Sequence, residues 1–103
     1  MDGAFAEFVA VPAANAYRLP EQLTLREGAL VEPLSCAVHG LRKIGVEAGE
    51  SVLVVGAGTM GLLLQQLFAH AGAGRVAVVD RNSARLAVAA ESGLIGVKKL
   101  NRR

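Results

Sequence analysis

The spacing of hydrophobic residues changes along the chain from alternation to helical periodicity. Residues 4–12, AFAEFVAVP, alternate between two faces, which predicts a strand that the proline ends. A second extended segment is expected over residues 16–19. Thr24, followed three positions later by Glu27, fits a capping box, so a short helix should begin there.

A longer helix is predicted between Pro33 and Gly45. Proline suits the first turn of a helix, and glycine is favoured directly after the last one. Between them an apolar residue recurs at helical spacing, at Leu34, Ala37, Val38, Leu41 and Ile44. The division between the two parts of the chain is expected along this helix.

From Ser51 onward the pattern predicts a strand, a helix and a second strand. Residues 51–55 and 75–80 are apolar runs typical of strands buried on both faces of a parallel sheet. Between them apolar residues again recur at helical spacing, at Met60, Leu64, Leu67 and Ala71. Asn82 or Ser83 can cap a further helix over 84–91, which Gly93 should end.

Three glycines lie between the first of these strands and its helix. Gly56, Gly58 and Gly61 have the spacing G-x-G-x-x-G, in which the glycines allow a tight turn, close approach to a pyrophosphate and close helix packing, respectively. The helix N-terminus would offer amide N–H groups to the phosphates. Because the chain has twelve glycines, a packing turn without a ligand is the alternative.

Asp80 at the end of the next strand favours a nucleotide site over a packing turn. It follows the glycines at about the distance of 20 residues that dinucleotide-binding folds require. Its carboxylate would accept hydrogen bonds from the adenosine ribose and repel a 2′-phosphate, which favours NAD over NADP. Arg81 and Arg85 keep NADP open, because arginine accommodates that phosphate.

Composition and charge argue against several other classes of protein. The net charge of +2 depends on four basic residues within 98–103, and no basic face with interleaved aromatic residues indicates nucleic-acid binding. Residues 51–74 carry no formal charge, but their glycines and polar side chains argue against a membrane span. The single cysteine, Cys36, excludes an internal disulfide and suits a reducing compartment such as the cytoplasm.

A complete catalytic centre is not evident in the sequence. Glu32, Cys36 and His39 share one helix face, but the outer two are about 10.5 Å apart along the axis, too far for easy coordination of a single zinc ion. The serines lie in no G-x-S-x-G pattern. His70 is expected near a helix C-terminus, where it complements the helix dipole.

Four segments together resemble the zinc-containing medium-chain dehydrogenases, in particular the sorbitol- and threonine-dehydrogenase-like branch. They are GAFAEFVAVPA, LVEPLSCAVHG, VLVVGAGTMG and VVDRNSARL, and the resemblance extends from residue 3 to about residue 93. It implies an α/β fold, a partial Rossmann domain (β-α-β-α) preceded by the last strands of a GroES-like catalytic domain. Residues 1–31 would be the remnant of that domain, 32–45 a linking helix, and 46–103 the N-terminal half of the NAD-binding Rossmann domain.

The resemblance also implies roles for individual residues. Glu32 would be the catalytic and metal-site carboxylate that faces zinc and its bound water or substrate hydroxyl. NAD would be contacted by Gly56, Gly58, Met60, Gly61, Asp80 and Arg85. Arg85 would then lie on the adenosine side and would not receive a 2′-phosphate.

The sequence departs from the family at both ends. The family's other zinc ligands, a Cys and a His-Glu pair, would precede Met1, and the structural-zinc cysteines are absent. After Gly93, LIGVKKLNRR replaces the expected third strand and second Rossmann half. The chain is therefore interpreted as an internal fragment, or as the product of a truncated or frameshifted gene.

The leading hypothesis is a coenzyme-binding fragment of a zinc-dependent, NAD-linked alcohol or polyol dehydrogenase that is inactive alone. Zinc would belong to the intact parent enzyme, which is expected to be a homo-oligomer acting on a small-molecule alcohol or polyol. A stand-alone dinucleotide-binding module or pseudoenzyme that acts through a partner is the first alternative. An interaction or assembly remnant that binds neither NAD nor zinc is the second.

Overall fold

The computed structural model describes residues 3–92 and 95–100. In chain order these residues form a 3-10 turn (Ala13–Asn15), α1 (Leu25–Gly28), α2 (Val31–Ile44), β1 (Ser51–Val55), α3 (Thr59–His70), β2 (Arg75–Asp80), α4 (Ser83–Glu91) and β3 (Ile95–Lys99). The predicted end of α4 at Gly93 lies outside the described residues. Within the described part, no helix is long and apolar enough to cross a membrane.

The three strands form one parallel sheet in the order β1-β2-β3. Val54 of β1 is in register with Val78 of β2, which is in register with Val97 of β3. Helix α3 connects the first pair of strands and α4 the second. This arrangement confirms the predicted α/β class, and it brings the carboxyl ends of all three strands to one edge.

The third strand corrects the sequence-based prediction for the end of the chain. Residues after 93 were expected to replace a Rossmann strand, yet Ile95–Lys99 forms one and pairs with β2. The Leu100 amide then donates to the Asp80 carbonyl at 2.9 Å. The unit is therefore β-α-β-α-β, because the backbone of this segment supplies the ladder hydrogen bonds that the edge of β2 requires.

The core lies between the sheet and the two connecting helices. It consists of Val54, Ala57, Phe68, Val76, Val78, Leu86 and Ala89. On the other face of β1, Leu53 and Val55 are 61% and 75% exposed, so the prediction that this strand is buried on both faces is wrong for the described chain. The strand order β1-β2-β3 follows the order along the chain. Right-handed crossovers then place both connecting helices on one face of the sheet, which leaves the other face uncovered by them.

The buried face of α3 is rotated relative to the predicted stripe, although Leu64 of that stripe packs against the core. Gln65 and Phe68 are its buried residues, whereas Met60 is 40% exposed. Gly61 lies against the end of β1, and positions four and seven residues further on share its side of a helix. The contact at Gly61 therefore sets the rotation of α3.

Helices α1 and α2 begin near the predicted positions. The Thr24 hydroxyl accepts from the Glu27 amide at 3.2 Å, and the Glu27 carboxylate accepts from the Thr24 amide at 2.8 Å, which confirms the capping box. The Thr24 backbone and then its side chain hold the pKa of Glu27 below its ordinary value. On α2, Ala37 is buried but Ile44 is 70% exposed, because among the described elements α3 alone covers this helix extensively.

The predicted strand over residues 4–12 is not present. The segment is irregular, and the side chains of Phe5 and Phe8 are almost fully exposed. Ala16 is extended, but it too lies outside any ladder. Alternation marks a segment that can form a strand, whereas the strand itself needs a hydrogen-bonded neighbour, and the described chain provides none for this segment.

Gln65 is an unusual member of the core. It is 1% exposed, and its side-chain oxygen has no hydrogen-bond partner among the described residues. A buried acceptor without a partner costs about 1–3 kcal/mol. We therefore expect Gln65→Leu to raise the free energy of unfolding by about 1 kcal/mol, measured by urea denaturation.

Gln66→Leu is the matched control for this experiment. Gln66 is exposed and donates to the Leu62 carbonyl at 2.9 Å, so its substitution should change the free energy of unfolding by less than about 0.5 kcal/mol. If Gln65→Leu were less stable than the control, the Gln65 amide would have a polar partner in solution.

Candidate dinucleotide site

The loop after β1 begins with a turn that requires glycine. Gly56 has a φ of +107°, a conformation that side chains with a Cβ rarely adopt. Its amide donates to the Val79 carbonyl at 2.7 Å, which ties the start of the loop to β2. The chain can therefore leave the sheet and reverse toward α3 within a few residues.

Gly61 allows α3 to lie directly on this turn. A Cβ built at Gly61 would collide with the Gly56 carbonyl oxygen and would lie 3.6 Å from a methyl of Val54. The absence of a side chain is thus a packing requirement. The sequence motif assigned this role to its third glycine.

Gly58 differs from both, because its backbone does not require glycine. It is the N-cap of α3 with φ −80° and ψ −175°, and no atom lies within 4 Å of a Cβ built there. The first amides of a helix have no acceptor within it, and Gly58 supplies no side chain to cap them. The loop therefore leaves open space in front of a helix N-terminus, as an approaching phosphate would need.

Asp80 ends β2 beside this loop. One oxygen of its carboxylate, Oδ2, accepts from the Ala57 amide at 2.7 Å, and the other, Oδ1, accepts from the Asn82 amide at 2.8 Å. The Ala57 amide, followed by that of Asn82, holds the pKa of Asp80 below its ordinary value of 3.8. The side chain is therefore anionic at neutral pH.

A cleft of about 270 Å³ opens at the carboxyl ends of the strands. It is lined by Val55, Gly56, Val79, Asp80, Arg81, Arg85 and Leu100. Arg85 stabilises the charged form of Asp80 at longer range. The cleft combines a carboxylate, two guanidinium groups and an apolar wall, a combination that suits a ribose and an adenine ring.

The structure brings most of the predicted cofactor residues to this edge of the sheet. Gly56, Asp80 and Arg85 line the cleft, and Gly61 contacts the turn at Gly56. Met60 is the second residue of α3, directly after the glycine loop. Arg85 lies in the first turn of α4, which Asn82 caps by accepting from the Ala84 and Arg85 amides.

The residues considered for a metal site lie elsewhere, on α2. Glu32 is exposed in the first turn of that helix, and the Cys36 thiol donates to its carboxylate at 3.4 Å. His39 is also exposed. Among the described residues, no group of three or more histidine, cysteine, aspartate or glutamate side chains could hold a metal ion. The residues present therefore do not form a zinc site by themselves.

Three features of the site were not predicted from the sequence. The Ala57 amide and Asn82 hold the Asp80 carboxylate, and Leu100 adds an apolar wall. A backbone amide donor cannot be recognised from residue types, because every residue except proline has one. Ile95 and Val97 alternate before Leu100, and this spacing was the available signal for the third strand.

Comparison with known protein families identifies the class of domain first. Residues 51–103, just over half of the chain, match the family described as "3-hydroxyacyl-CoA dehydrogenase, NAD binding domain". The matched region contains the sheet, the glycine loop and the Asp80 carboxylate. This part of the chain is an NAD-binding domain with the Rossmann arrangement.

Relatives that match most of the chain identify the family more closely. D-xylulose reductase A of Aspergillus niger is 45% identical over 85 residues, which cover 82% of this chain and 24% of that protein. Human sorbitol dehydrogenase is 42% identical over 92 residues, which cover 89% of this chain and 26% of that protein. The chain belongs to the zinc-containing medium-chain polyol dehydrogenase family and spans about a quarter of the length of these curated relatives.

Solved structures of other dehydrogenases share the fold of this chain. A zinc-binding dehydrogenase from Sinorhizobium meliloti bound to NADP is 39% identical, with a TM-score of 0.87 over 95% of this chain and 29% of that one. A short chain alcohol dehydrogenase from Escherichia coli in complex with NADH is 30% identical, with a TM-score of 0.85 over 98% of this chain and 30% of that one. Both pyridine dinucleotides thus occur among the structural neighbours.

The contact between Gly61 and Gly56 can be tested by substitution. Glycine-to-alanine changes in helices usually stabilise, but Gly61→Ala should lower the free energy of unfolding by about 1–3 kcal/mol, because backbone must move to admit the methyl group. Gly58→Ser is the control, since space is open there and serine is a favoured N-cap. Chemical denaturation of both variants measures this difference. If Gly61→Ala were as stable as Gly58→Ser, close packing at Gly61 would not be required.

Proposed function

We propose that this chain supplies the coenzyme-binding part of a zinc-dependent, NAD-linked dehydrogenase that oxidises a secondary alcohol of a polyol. One observation carries the proposal. An open glycine loop at the N-terminus of α3 and an anionic Asp80 lie together at the carboxyl edge of a parallel sheet, where folds of this type bind dinucleotides.

The proposed binding mode gives each part of the site one task. The pyrophosphate would lie at the α3 amides in front of Gly58, where unsatisfied N–H groups and the helix dipole favour negative charge. The adenosine ribose would donate its hydroxyl protons to Asp80. Met60 and Arg85 would add contacts on either side, in keeping with their positions in the first turns of α3 and α4.

The same proposal divides the chain into three parts. Residues 1–31 would come from the catalytic domain, 32–45 would link it to the coenzyme domain, and 46–103 would form the first half of the Rossmann fold. The exposed phenylalanines of the first part and the exposed face of β1 support this division, because apolar surfaces of this kind are normally covered by other parts of a protein.

We include zinc in the proposal because the relatives of this chain are zinc-containing dehydrogenases. Glu32 would be the carboxylate that faces the metal, and a bound zinc ion would lower the pKa of the alcohol before hydride transfer. The described residues present no group of three ligands, so this chain's own contribution is to bind and orient the dinucleotide. The substrate would be a small polyol, and the exposed thiol of Cys36 suits a reducing compartment such as the cytoplasm.

A dinucleotide-binding module that acts through a partner is the second candidate function. The described part of the chain contains no group of three metal-ligating side chains. This observation argues against a self-contained zinc enzyme and favours a module that acts through a partner. The two candidates share the NAD site. They differ in whether the intact protein binds zinc and turns over a substrate.

Calorimetric titration of the 103-residue chain tests the dinucleotide site. NAD should bind more tightly than NADP, by roughly tenfold, because a 2′-phosphate would lie beside the Asp80 carboxylate. Arg81 and Arg85 line the same cleft, and tighter binding of NADP would show that they dominate.

Gly58→Val should abolish binding of both ligands while retaining the circular dichroism spectrum, and unchanged affinity would make the loop a packing turn.

Metal analysis after dialysis, combined with an NADH-formation assay over a series of polyols and threonine, tests whether the chain alone contains a working zinc site. The chain alone should retain much less than one zinc per molecule and form no NADH, because a catalytic zinc site normally needs three protein ligands. One zinc per chain with NAD-dependent turnover would instead revive the site on α2 at Glu32, Cys36 and His39.

A further inference from the structure

The Asp80 carboxylate connects two loops that are distant in sequence. The amide that donates to its Oδ2 belongs to Ala57, 23 residues earlier in the chain. The amide that donates to its Oδ1 belongs to Asn82. The side chain thus joins the glycine loop that precedes α3 to the turn that precedes α4.

The contact with Ala57 lies at the centre of the glycine loop. Ala57 stands between the tight turn at Gly56 and the open position at Gly58, and it is only 1% exposed, with its side chain in the core. The loop is held to β2 by the hydrogen bond from the Gly56 amide and by the one to Asp80. Of these two, the contact with Asp80 lies nearer to the proposed phosphate position.

The contact with Asn82 links the Asp80 carboxylate to the start of α4 as well. The Asn82 amide donates to Asp80, while its side-chain oxygen accepts from the amides of Ala84 and Arg85 at 2.9 and 3.4 Å. The position of the Asp80 carboxylate therefore affects the start of α4, which carries Arg85 at the rim of the cleft.

Hydrogen-bond capacity allows Asp80 to hold both loops and a ribose together. An ionised carboxylate has about four acceptor positions, and the two backbone amides occupy one on each oxygen. The remaining positions can accept ribose hydroxyls. Hydrogen bonds to an ionised acceptor are also stronger than those between neutral groups.

From these contacts we infer that Asp80 is a positioning residue for the phosphate cradle as well as the residue that reads the ribose. Its carboxylate fixes the Ala57 amide and so aligns the loop in front of α3 before the dinucleotide arrives. The inference rests on the proposed function for the identity of the ligand, whereas the positioning of the loop does not depend on it.

Inorganic pyrophosphate distinguishes the two roles of Asp80, because it has no ribose. If Asp80 only read the ribose, Asp80→Asn would remove a nearby negative charge and pyrophosphate would bind equally or more tightly. If Asp80 positions the loop, the variant should bind pyrophosphate roughly tenfold more weakly, since an amide can accept at one oxygen only and its NH₂ group would face a backbone N–H.

Glu91→Gln is the matched control for charge, because Glu91 is an exposed residue at the end of α4. It should leave pyrophosphate affinity unchanged within about twofold. Equal or tighter binding of pyrophosphate to Asp80→Asn than to this control would overturn the positioning role. If the wild-type chain bound neither pyrophosphate nor NAD, the proposed function would fail instead.

Proton–nitrogen NMR of the wild-type chain tests the positioning without any variant. The amide signals of Ala57 and Asn82 should shift together as the pH falls, with one midpoint below 3.8, the ordinary pKa of aspartate. The charged neighbours of Asp80 are all basic, namely Arg81, Arg85 and Lys99. A folded chain whose Ala57 amide did not follow the titration of Asp80 would contradict the inference.

The sign of the pH effect follows from the lowered pKa of Asp80. Its contribution to stability is complete above the unfolded-state pKa of 3.8, and it is lost as the pH falls through the folded-state value. If the chain unfolds before that midpoint, hydrogen exchange at neutral pH replaces the titration. The Ala57 amide should then exchange at least tenfold faster in Asp80→Asn than in Glu91→Gln, and equal rates would overturn the inference.

Discussion

The close packing of α3 on the end of β1 is the contact on which the rest of this structure depends. Gly61 has no side chain, so the helix can lie against the carbonyl of Gly56, which itself turns through a conformation that only glycine adopts readily. This contact aims the N-terminus of α3 across the end of the sheet. It also rotates the helix so that Phe68 and Gln65 enter the core, where the Gln65 side-chain oxygen has no partner in the described part of the chain.

Parallel pairing converts this local contact into a site. Because all three strands run in the same direction, the residues that follow them meet at one edge, where Gly56, Asp80 and Leu100 line a common cleft. The carboxylate of Asp80 is stabilised by backbone amides and by Arg85, so a negative charge is maintained next to a loop suited to bind phosphate. In the proposed complex, this combination would allow one edge of the sheet to distinguish the ribose end of a dinucleotide from its phosphates.

The sequence predicted the local features that depend on residue type, and it failed where packing decides. The capping box at Thr24, the glycine loop and the strand ending at Asp80 follow from intrinsic preferences and are present. The face of α3 was predicted only in part: Leu64 packs against the core, but Gly61 counts as neutral in a hydrophobic pattern although it sets the rotation of the helix. The strand expected over residues 4–12 has no neighbour among residues 3–92 and 95–100, and β3 was overlooked because its pairing depends on the edge of β2.

In the proposed complex, a dinucleotide lies with its pyrophosphate in front of the α3 N-terminus. Mapping of NAD binding by proton–nitrogen NMR on the 103-residue chain tests it most directly. The largest changes are predicted at the amides of Gly58, Thr59 and Met60, with a second group around Asp80 and Asn82. Changes confined to α2, or the absence of any change at saturating NAD, would contradict the claim.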